Sequence, residues 1–419
     1  MNAAITGLRG MPDILPSEAG AWRTVENKAR EVLRQFGYGE LRTPVLEEAA
    51  LFQRTIGEET DIVQKQMYTF KDRGERLLSL RPEGTASIVR SYIEHHLGLE
   101  MPLARFYYVG AMFRSERPQA GRNRQFHQIG AEAIGGESPY LDAEIITLMM
   151  RILAAAGLAQ TTLKINSLGC EADKKAFGAL LRDALAGTKN GLCPDCVIRY
   201  EKNILRIFDC KNETCREIVR AAPRITEHLC VDCITHFQAV QEALTSVNIS
   251  YVIDPLLVRG LDYYSKTVFE VSCPGLGSQD AVAAGGRYNR LIEDLGGTPT
   301  PACGFALGVE RVLMAAKDAG VPEEGSIDIF FVLLGDGAKK TAFAAITALR
   351  DRGMVCQMEA DGKSLKSQMR LADRLKARHV VIIGDDELAR SIAVVRNMNT
   401  RAQSEIALKD LPSADFVRM

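Results

Sequence analysis

Three short clusters in this chain hold the residue types that phosphate and amino-acid chemistry need. In the first, the basic loop RSERPQAGRNR separates two strand-like runs, 103–113 and 125–134. Alternate residues of a strand share one face. Phe126, Gln128, Gly130 and Glu132 therefore line one face of the return run, while Arg114 and Glu116 share a parity on the outgoing side. A ring, an amide, a gap and two carboxylates beside an arginine suit a nucleotide and a small polar ligand, although the same alternation also describes a solvated strand face. In the second cluster, LVRGLDYYSKTVFE, Arg259 precedes a glycine and two tyrosines, Tyr263 and Tyr264. Strict alternation would put Arg259 and Tyr264 on opposite faces, so a bend near Gly260 is needed if both serve one site. The third, ACGFALGVERVLMAA, reads as a small-residue strand entering a helix with Val309, Val312, Leu313 and Ala316 inward. Arg311 then sits in the first helical turn, poorly placed for the helix dipole but able to meet an anion beside the amides.

Gly362, Lys363 and Ser364 imitate the end of a phosphate-binding loop, but the earlier glycine that such a loop requires is Gln357 here. Neither a dinucleotide glycine fingerprint nor an HExxH zinc motif is present. An ATP-using chain of this sequence must hold phosphates with side chains.

Thiols form a further group. Six of the ten cysteines fall between Cys193 and Cys233. Cys193-x2-Cys196 and Cys230-x2-Cys233 are two pairs that could complete a tetrahedral thiolate zinc site, with Cys210 and Cys215 between them. The 33 residues separating the pairs exceed the usual spacing. Buried reduced thiols are the commoner state of such residues.

Elements must position these clusters. A helical stripe through Trp22, Val25, Ala29, Val32, Leu33 and Phe36 begins near Ser17, a candidate cap, and stops at Gly37. Another runs from Leu141 to Ala156. Between them the two strand-like runs form an antiparallel hairpin with a long loop. From 171 to 250 the texture turns to Lys, Arg, Asn and Cys with interrupted helical periodicity, which predicts an inserted, mainly helical module. Strand signals resume with YVIDPLLVRG and TVFEVSC. After Gly320, apolar runs alternate with helical stretches, which predicts a separate α/β domain of parallel strands with crossover helices. In it Lys366, Arg370 and Arg374 recur every four residues and share one helix face, with Lys363 nearby.

With 419 residues, 46% of them hydrophobic, the chain is long enough for two to four domains. Lys plus Arg total 52 against 53 Asp plus Glu, so nucleic-acid contact must come from local patches. The first residues lack the basic start and apolar run of a signal peptide, and no stretch approaches the roughly 18 apolar residues of a membrane span. The expectation is a cytoplasmic enzyme with reduced cysteines.

Taken together, the clusters resemble the signature motifs of class II aminoacyl-tRNA synthetases, in order and over nearly the whole chain. The segment 41–70, LRTPVLEEAALFQRTIGEETDIVQKQMYTF, is similar to motif 1, FRSERPQAGRNRQFHQIGAEAIG to motif 2 and ACGFALGVERV to motif 3. RPEGT at 81–85 and RGLDYY at 259–264 resemble the signatures of the histidine-specific family, bacterial type.

That resemblance implies an α+β fold. An antiparallel sheet flanked by helices (1–170 and 251–322) would be interrupted by the insertion (171–250) and followed by an anticodon-binding α/β domain (325–419). It implies ATP, with Mg2+, and L-histidine as small ligands. Arg114 would hold the ATP α-phosphate, Glu116 the adenine amino group, and Phe126 and Arg311 the two faces of the adenine ring, Arg311 also reaching the outer phosphates. Glu83, Thr85 and Gln128 would bind the histidine amino group, with Gly84 and Tyr263 beside them, while Glu132 and Tyr264 address the imidazole. Arg259 would lie against the α-phosphate where the carboxylate attacks, and with Arg114 would carry catalysis. Arg9, Arg117, Gln119 and Arg122 would approach the acceptor end of tRNA(His), and the Lys366, Arg370 and Arg374 stripe its phosphates. Motif 1 lies at a two-fold interface in this family, so a homodimer is implied. The main rival is a non-catalytic regulatory paralog, which typically lacks RGLDYY and the last domain.

Overall fold

The computed structural model describes residues 5–57, 60, 62–119, 121–276, 280–316 and 327–416. The chain divides into two compact units, 1–321 and 322–419; the boundary expected at 322–325 lies outside the described residues.

Eight strands form one sheet among the described residues of the larger unit, in the spatial order Gly39–Glu40, Ala104–Phe113, Gln125–Ile134, Ala302–Gly308, Ala281–Arg287, Ser265–Ser272, Thr162–Ser167 and Val252–Ile253. The six central strands are antiparallel, and only the two edge pairs run parallel. The hairpin expected from the sequence is present with its register fixed by pairs from Ala104↔Ile134 to Phe113↔Gln125.

Alternation sorts this sheet into two faces. Ile129, Ala131, Ala133, Cys303, Phe305, Leu307, Phe269 and Val271 point to the back, into a core shared with Val25, Ala29 and Leu33 of the helix Pro16–Gln35 and with Ile145, Met149 and Ile152 of Pro139–Ala155. The opposite parity carries Gly130, Gly304, Ala306 and Gly286 to the front, where larger side chains occupy the space above the glycines, Tyr108 over Gly130 and Glu132 over Gly304. The first helix starts at Pro16 without a side-chain cap, so the expected role of Ser17 is corrected: proline at the first helical position pre-sets the backbone instead. Ser138 does cap the Pro139–Ala155 helix, accepting from Tyr140 N.

Between 171 and 246 the chain is helical, as expected: Glu171–Leu185, Pro194–Lys202, Glu213–Arg220 and Val231–Ser246, with 3-10 turns between. The first three pack round their own small core of Phe177, Leu181, Ile204, Ile207 and Val219. The fourth joins the back of the sheet through Phe237, Val240 and Leu244. It is fixed there by charge: His236 Nε2 lies 2.7 Å from Asp142 Oδ2, while Arg287 Nε donates to Asp142 Oδ1 at 2.9 Å. Burial pushes the Asp142 carboxyl up, but Arg287 and His236 outweigh it and hold it below its ordinary value.

The smaller unit holds a five-stranded sheet in the order Cys356–Met358, Ile329–Leu333, His379–Ile383, Ile392–Asn397 and Gln403–Ala407. The first three are parallel, joined by the helices Asp336–Asp351 and Leu365–Arg374. The expectation of parallel strands throughout is corrected for the last two, which are antiparallel. Only eight residues, 384–391, join His379–Ile383 to Ile392–Asn397, fewer than the dozen a crossover needs.

Because Asp142 is buried and charged, Arg287→Leu should cost about 3–5 kcal/mol, the range for breaking one side of a buried pair. Urea denaturation followed through the single tryptophan, Trp22 in the first helix, measures it. A loss under about 1 kcal/mol would show that the pair does not tie the helix Pro139–Ala155 to the sheet.

Candidate functional site

The front floor of the sheet, the start of the helix Thr85–Glu94 and the turn 258–264 enclose one pocket. Glu83 opens that helix: its carboxylate accepts from Thr85 N at 2.7 Å and Ala86 N at 2.9 Å. Burial raises its pKa. Thr85 Oγ1 in turn donates to Glu132 Oε1 at 2.6 Å, and Tyr288 OH donates to Glu132 Oε2 at 2.5 Å. Glu132, only 1% exposed, is pushed up to about 8 by burial, against the pull of those two hydroxyls. Its room comes from its cross-strand partner Gly304, where a β-carbon would fall 1.7 Å from the carboxylate oxygen. Tyr263 stands between Tyr264 and Tyr288, with centroid distances of 4.6 and 5.5 Å, so an aromatic wall surrounds the acid.

Two expected glycines have a different physical reason. Gly130 was expected to leave a gap, but the ring of its cross-strand partner Tyr108 fills it: a β-carbon at 130 would lie 2.2 Å from Tyr108 Cζ. At Gly84 a β-carbon would meet the same ring at 2.4 Å. Both glycines admit Tyr108, whose buried ring backs Thr85 and Glu132.

Arg259 and Tyr264 reach the same pocket. They do so from a turn, because 254–264 is not the continued strand expected from YVIDPLLVRG; only Val252–Ile253 pairs. The bend at Gly260 is present. Arg259 Nη1 is ion-paired to Glu270 Oε2 at 2.5 Å. Burial works against its charge, yet the Glu270 carboxylate keeps its pKa above the ordinary value.

The far end of the pocket is built from the hairpin and the third cluster. Arg114 lies over the Phe126 ring at 5.2 Å from its centroid and donates from Nε to Pro82 O at 2.9 Å. Glu116 accepts from Arg122 Nη1 at 3.2 Å. Arg311 lines the pocket from the first turn of Val309–Ala315. That turn is fixed by its neighbour Glu310, which accepts from His127 N at 2.9 Å. Gln128 Oε1 is buried on this floor and accepts no hydrogen bond from the described residues.

All eleven residues expected to bind histidine or nucleotide, other than Gly84, therefore line one pocket. Arg122, expected on the tRNA side, lines it too. Arg9, Arg117 and Gln119 are exposed outside it. Arg9 lies beside the motif 2 loop, where Arg124 N donates to Gly10 O at 2.7 Å. Lys366, Arg370 and Arg374 are exposed on the helix Leu365–Arg374 of the smaller unit. The sequence reading missed Tyr288 and Glu270.

The four-cysteine set expected at Cys193, Cys196, Cys230 and Cys233 is corrected. Cys193 and Cys196 converge with Cys210 and Cys215, whereas Cys230 and Cys233 converge with Cys170 and Asp173. The intervening helix Glu213–Arg220 returns its own cysteine to the first pair, and Val231–Ser246 starts beside Glu171–Leu185.

Residues 10–173 and 200–312 match the family described as Histidyl-tRNA synthetase, and 328–414 match the Anticodon binding domain. A histidine–tRNA ligase of Desulfosudis oleivorans is 47% identical over 413 residues, covering 98% of each chain. Another, from Moorella thermoacetica, is 48% identical over 402 residues, or 96% of this chain and 95% of that one. The structure of apo S. aureus histidyl-tRNA synthetase superposes with a TM-score of 0.82 at 37% identity, covering 98% of this chain and 99% of that one. An antiparallel sheet with arginines from its hairpin loop, a turn and a helix start lining one pocket on its front is the catalytic unit of a class II aminoacyl-tRNA synthetase. The chain belongs to the histidyl-tRNA synthetase family.

The packing of Tyr108 is directly testable. Gly130→Ala should cost about 1–3 kcal/mol, as overpacking does, and should lower histidine affinity through the displaced ring. Unchanged thermal stability together with unchanged histidine binding would show that the ring has room to move.

Proposed function

We propose that this chain ligates L-histidine to tRNA(His) in two steps, activating histidine with ATP as histidyl-adenylate and then transferring it to the 3′-hydroxyl of the terminal tRNA adenosine. The observation that carries this reading is one pocket with a buried carboxylate at one end and four guanidinium groups, those of Arg259, Arg114, Arg122 and Arg311, along the rest.

Each end suits one ligand. Glu132 and Tyr264 address the imidazole, with Tyr288 orienting Glu132. Gln128 Oε1, buried and unpartnered among the described residues, suits an ammonium donor, and Glu83, Thr85 and Tyr263 complete that corner. Adenine fits between Phe126 and Arg311, with Glu116 at its amino group. Arg114 and Arg259 then face the α-phosphate. As the histidine carboxylate forms its bond to phosphorus and the bond to pyrophosphate breaks, charge builds on the equatorial oxygens, and fixed guanidinium forks stabilise it. Magnesium, when bound, would supply counter-charge on the outer phosphates; Glu270 and Glu310 are carboxylates lining the pocket that are assigned to neither adenine nor histidine. In the second step the hydroxyl oxygen attacks the activated carbonyl and AMP leaves.

For the rest of the chain we assign 1–170 with 251–322 to catalysis, 171–250 to the insertion and 325–419 to anticodon binding. Arg9, Arg117, Gln119 and Arg122 face the acceptor end of tRNA, and Lys366, Arg370 and Arg374 meet its phosphates. A homodimer through motif 1 is supported by Leu46, Phe70 and Leu77, apolar and exposed on the small sheet of Leu46–Glu48, Thr69–Lys71 and Leu77–Leu80. No described helix is long and apolar enough to cross a membrane. The retained RGLDYY turn and last domain favour a catalyst over a regulatory paralog.

Histidine-dependent exchange of pyrophosphate into ATP tests the reading. The wild-type chain should catalyse it, and Arg259→Ala should lower kcat by about 10²- to 10³-fold, as losing one preorganised donor does, with a much smaller change in KM for ATP. Arg259→Lys should recover only part. A folded alanine variant keeping more than about a tenth of kcat would remove Arg259 from catalysis, and absent exchange by the wild type would overturn the activity.

A further inference from the structure

Outside the pocket, the densest group of chemically capable side chains is in the insertion. Cys193, Cys196, Cys210 and Cys215 bring four Sγ atoms within 4.8 Å of one another. Their spacing, C-x2-C-x13-C-x4-C, is far tighter than that of the two distant pairs. All four are free thiols. Cys193 Sγ and Cys210 Sγ stand 3.8 Å apart. A disulfide requires about 2.0 Å. Four thiolates round a zinc ion at about 2.3 Å place their sulfurs roughly 3.8 Å apart at the tetrahedral edge.

The surroundings suit thiolates. Cys196 and Cys215 each occupy the first turn of a helix, Pro194–Lys202 and Glu213–Arg220, where backbone amides and the dipole favour negative charge. Cys193 N donates to Cys215 Sγ at 3.2 Å, the kind of N–H to sulfur bond that stabilises a charged sulfur. The architecture of the segment suits a metal as well. It is built of short helices and 3-10 turns round a small core, and small cores are commonly stapled by a disulfide or a metal. Packing alone gives no reason for four sulfurs from two helices and the linker between them to converge on one point.

We propose that this chain holds one structural zinc ion on the thiolates of Cys193, Cys196, Cys210 and Cys215. Binding replaces four S–H protons with four Zn–S bonds and releases four protons, leaving a site of net charge −2. The second group, Cys170, Asp173, Cys230 and Cys233, is excluded because its carboxylate already has a structural task. Asp173 Oδ1 accepts from Cys230 N at 3.1 Å and Oδ2 from Cys170 N at 3.2 Å, tying two helix starts together. The zinc would brace the linker that carries Asn203, whose side-chain amide donates to Asp262 Oδ1 at 2.8 Å, within the turn that presents Arg259.

The test uses the full chain, expressed untagged and purified without chelator, then supplied with excess Zn2+ and desalted. Elemental analysis should give about one zinc per chain, and Co2+ in its place should give the intense visible bands of tetrahedral thiolate coordination. Cys210→Ser should lose at least about tenfold in zinc affinity, whereas Cys230→Ser should retain the full equivalent. If Cys210→Ser fails to fold, the cobalt spectrum of the wild-type chain decides alone. Absence of bound zinc after supply, an octahedral cobalt spectrum, or loss of the metal in Cys230→Ser would each overturn the proposal.

Discussion

The carboxylate of Glu132, 1% exposed in the middle of an antiparallel sheet, sets the terms for the residues around it. A buried carboxylate with no partner would be costly, so hydroxyls must reach it, and Thr85 and Tyr288 do so from opposite sides. Each has consequences. Thr85 can reach it only because the helix Thr85–Glu94 begins at that point, and Glu83 caps that beginning with its own carboxylate. Tyr288 reaches it because Ala281–Arg287 ends just before it, with Arg287 anchored behind the sheet on Asp142. Gly304 must be glycine because the acid occupies the space of its side chain.

Charge is divided along the pocket in a way that matches the proposed chemistry. Glu83, Glu132 and the tyrosine rings occupy one end; Arg259, Arg114, Arg122 and Arg311, with Glu116 and Glu270 among them, occupy the other. Two of the guanidinium groups are held by something other than substrate, Arg259 by Glu270 and Arg114 by the Pro82 carbonyl, and the helix that carries Arg311 is pinned at its start by Glu310 to His127. Donors fixed in advance stabilise charge that develops in a transition state without first reorganising.

Much of this was legible from residue order, for reasons that differ from residue to residue. Phe126, Gln128 and Glu132 could be placed on one face because strand alternation is a covalent consequence of the pleat. Gly130 belongs to the same face, but its role depended on a cross-strand neighbour, Tyr108, that no local pattern reveals. Tyr288 follows a strand containing a double glycine and carries no periodic signal; only space identifies it. Glu270 was within reach, since it shares parity with Val268 on the front of its strand. Register and turn direction were also out of reach: the last two strands of the small sheet reverse because their connections are short, and the cysteine pairs separate because the helices between them fold back.

The central claim is that Glu132 recognises the imidazole while the arginines serve ATP. Glu132→Gln keeps the volume but can neither ionise against the imidazole nor exchange a proton with it, so kcat/KM for histidine in pyrophosphate exchange should fall at least about 30-fold, or roughly 2 kcal/mol. The KM for ATP should stay within about threefold of wild type. A folded variant whose histidine kcat/KM is within about threefold of wild type, or whose ATP KM rises as steeply as its histidine kcat/KM falls, would contradict the account.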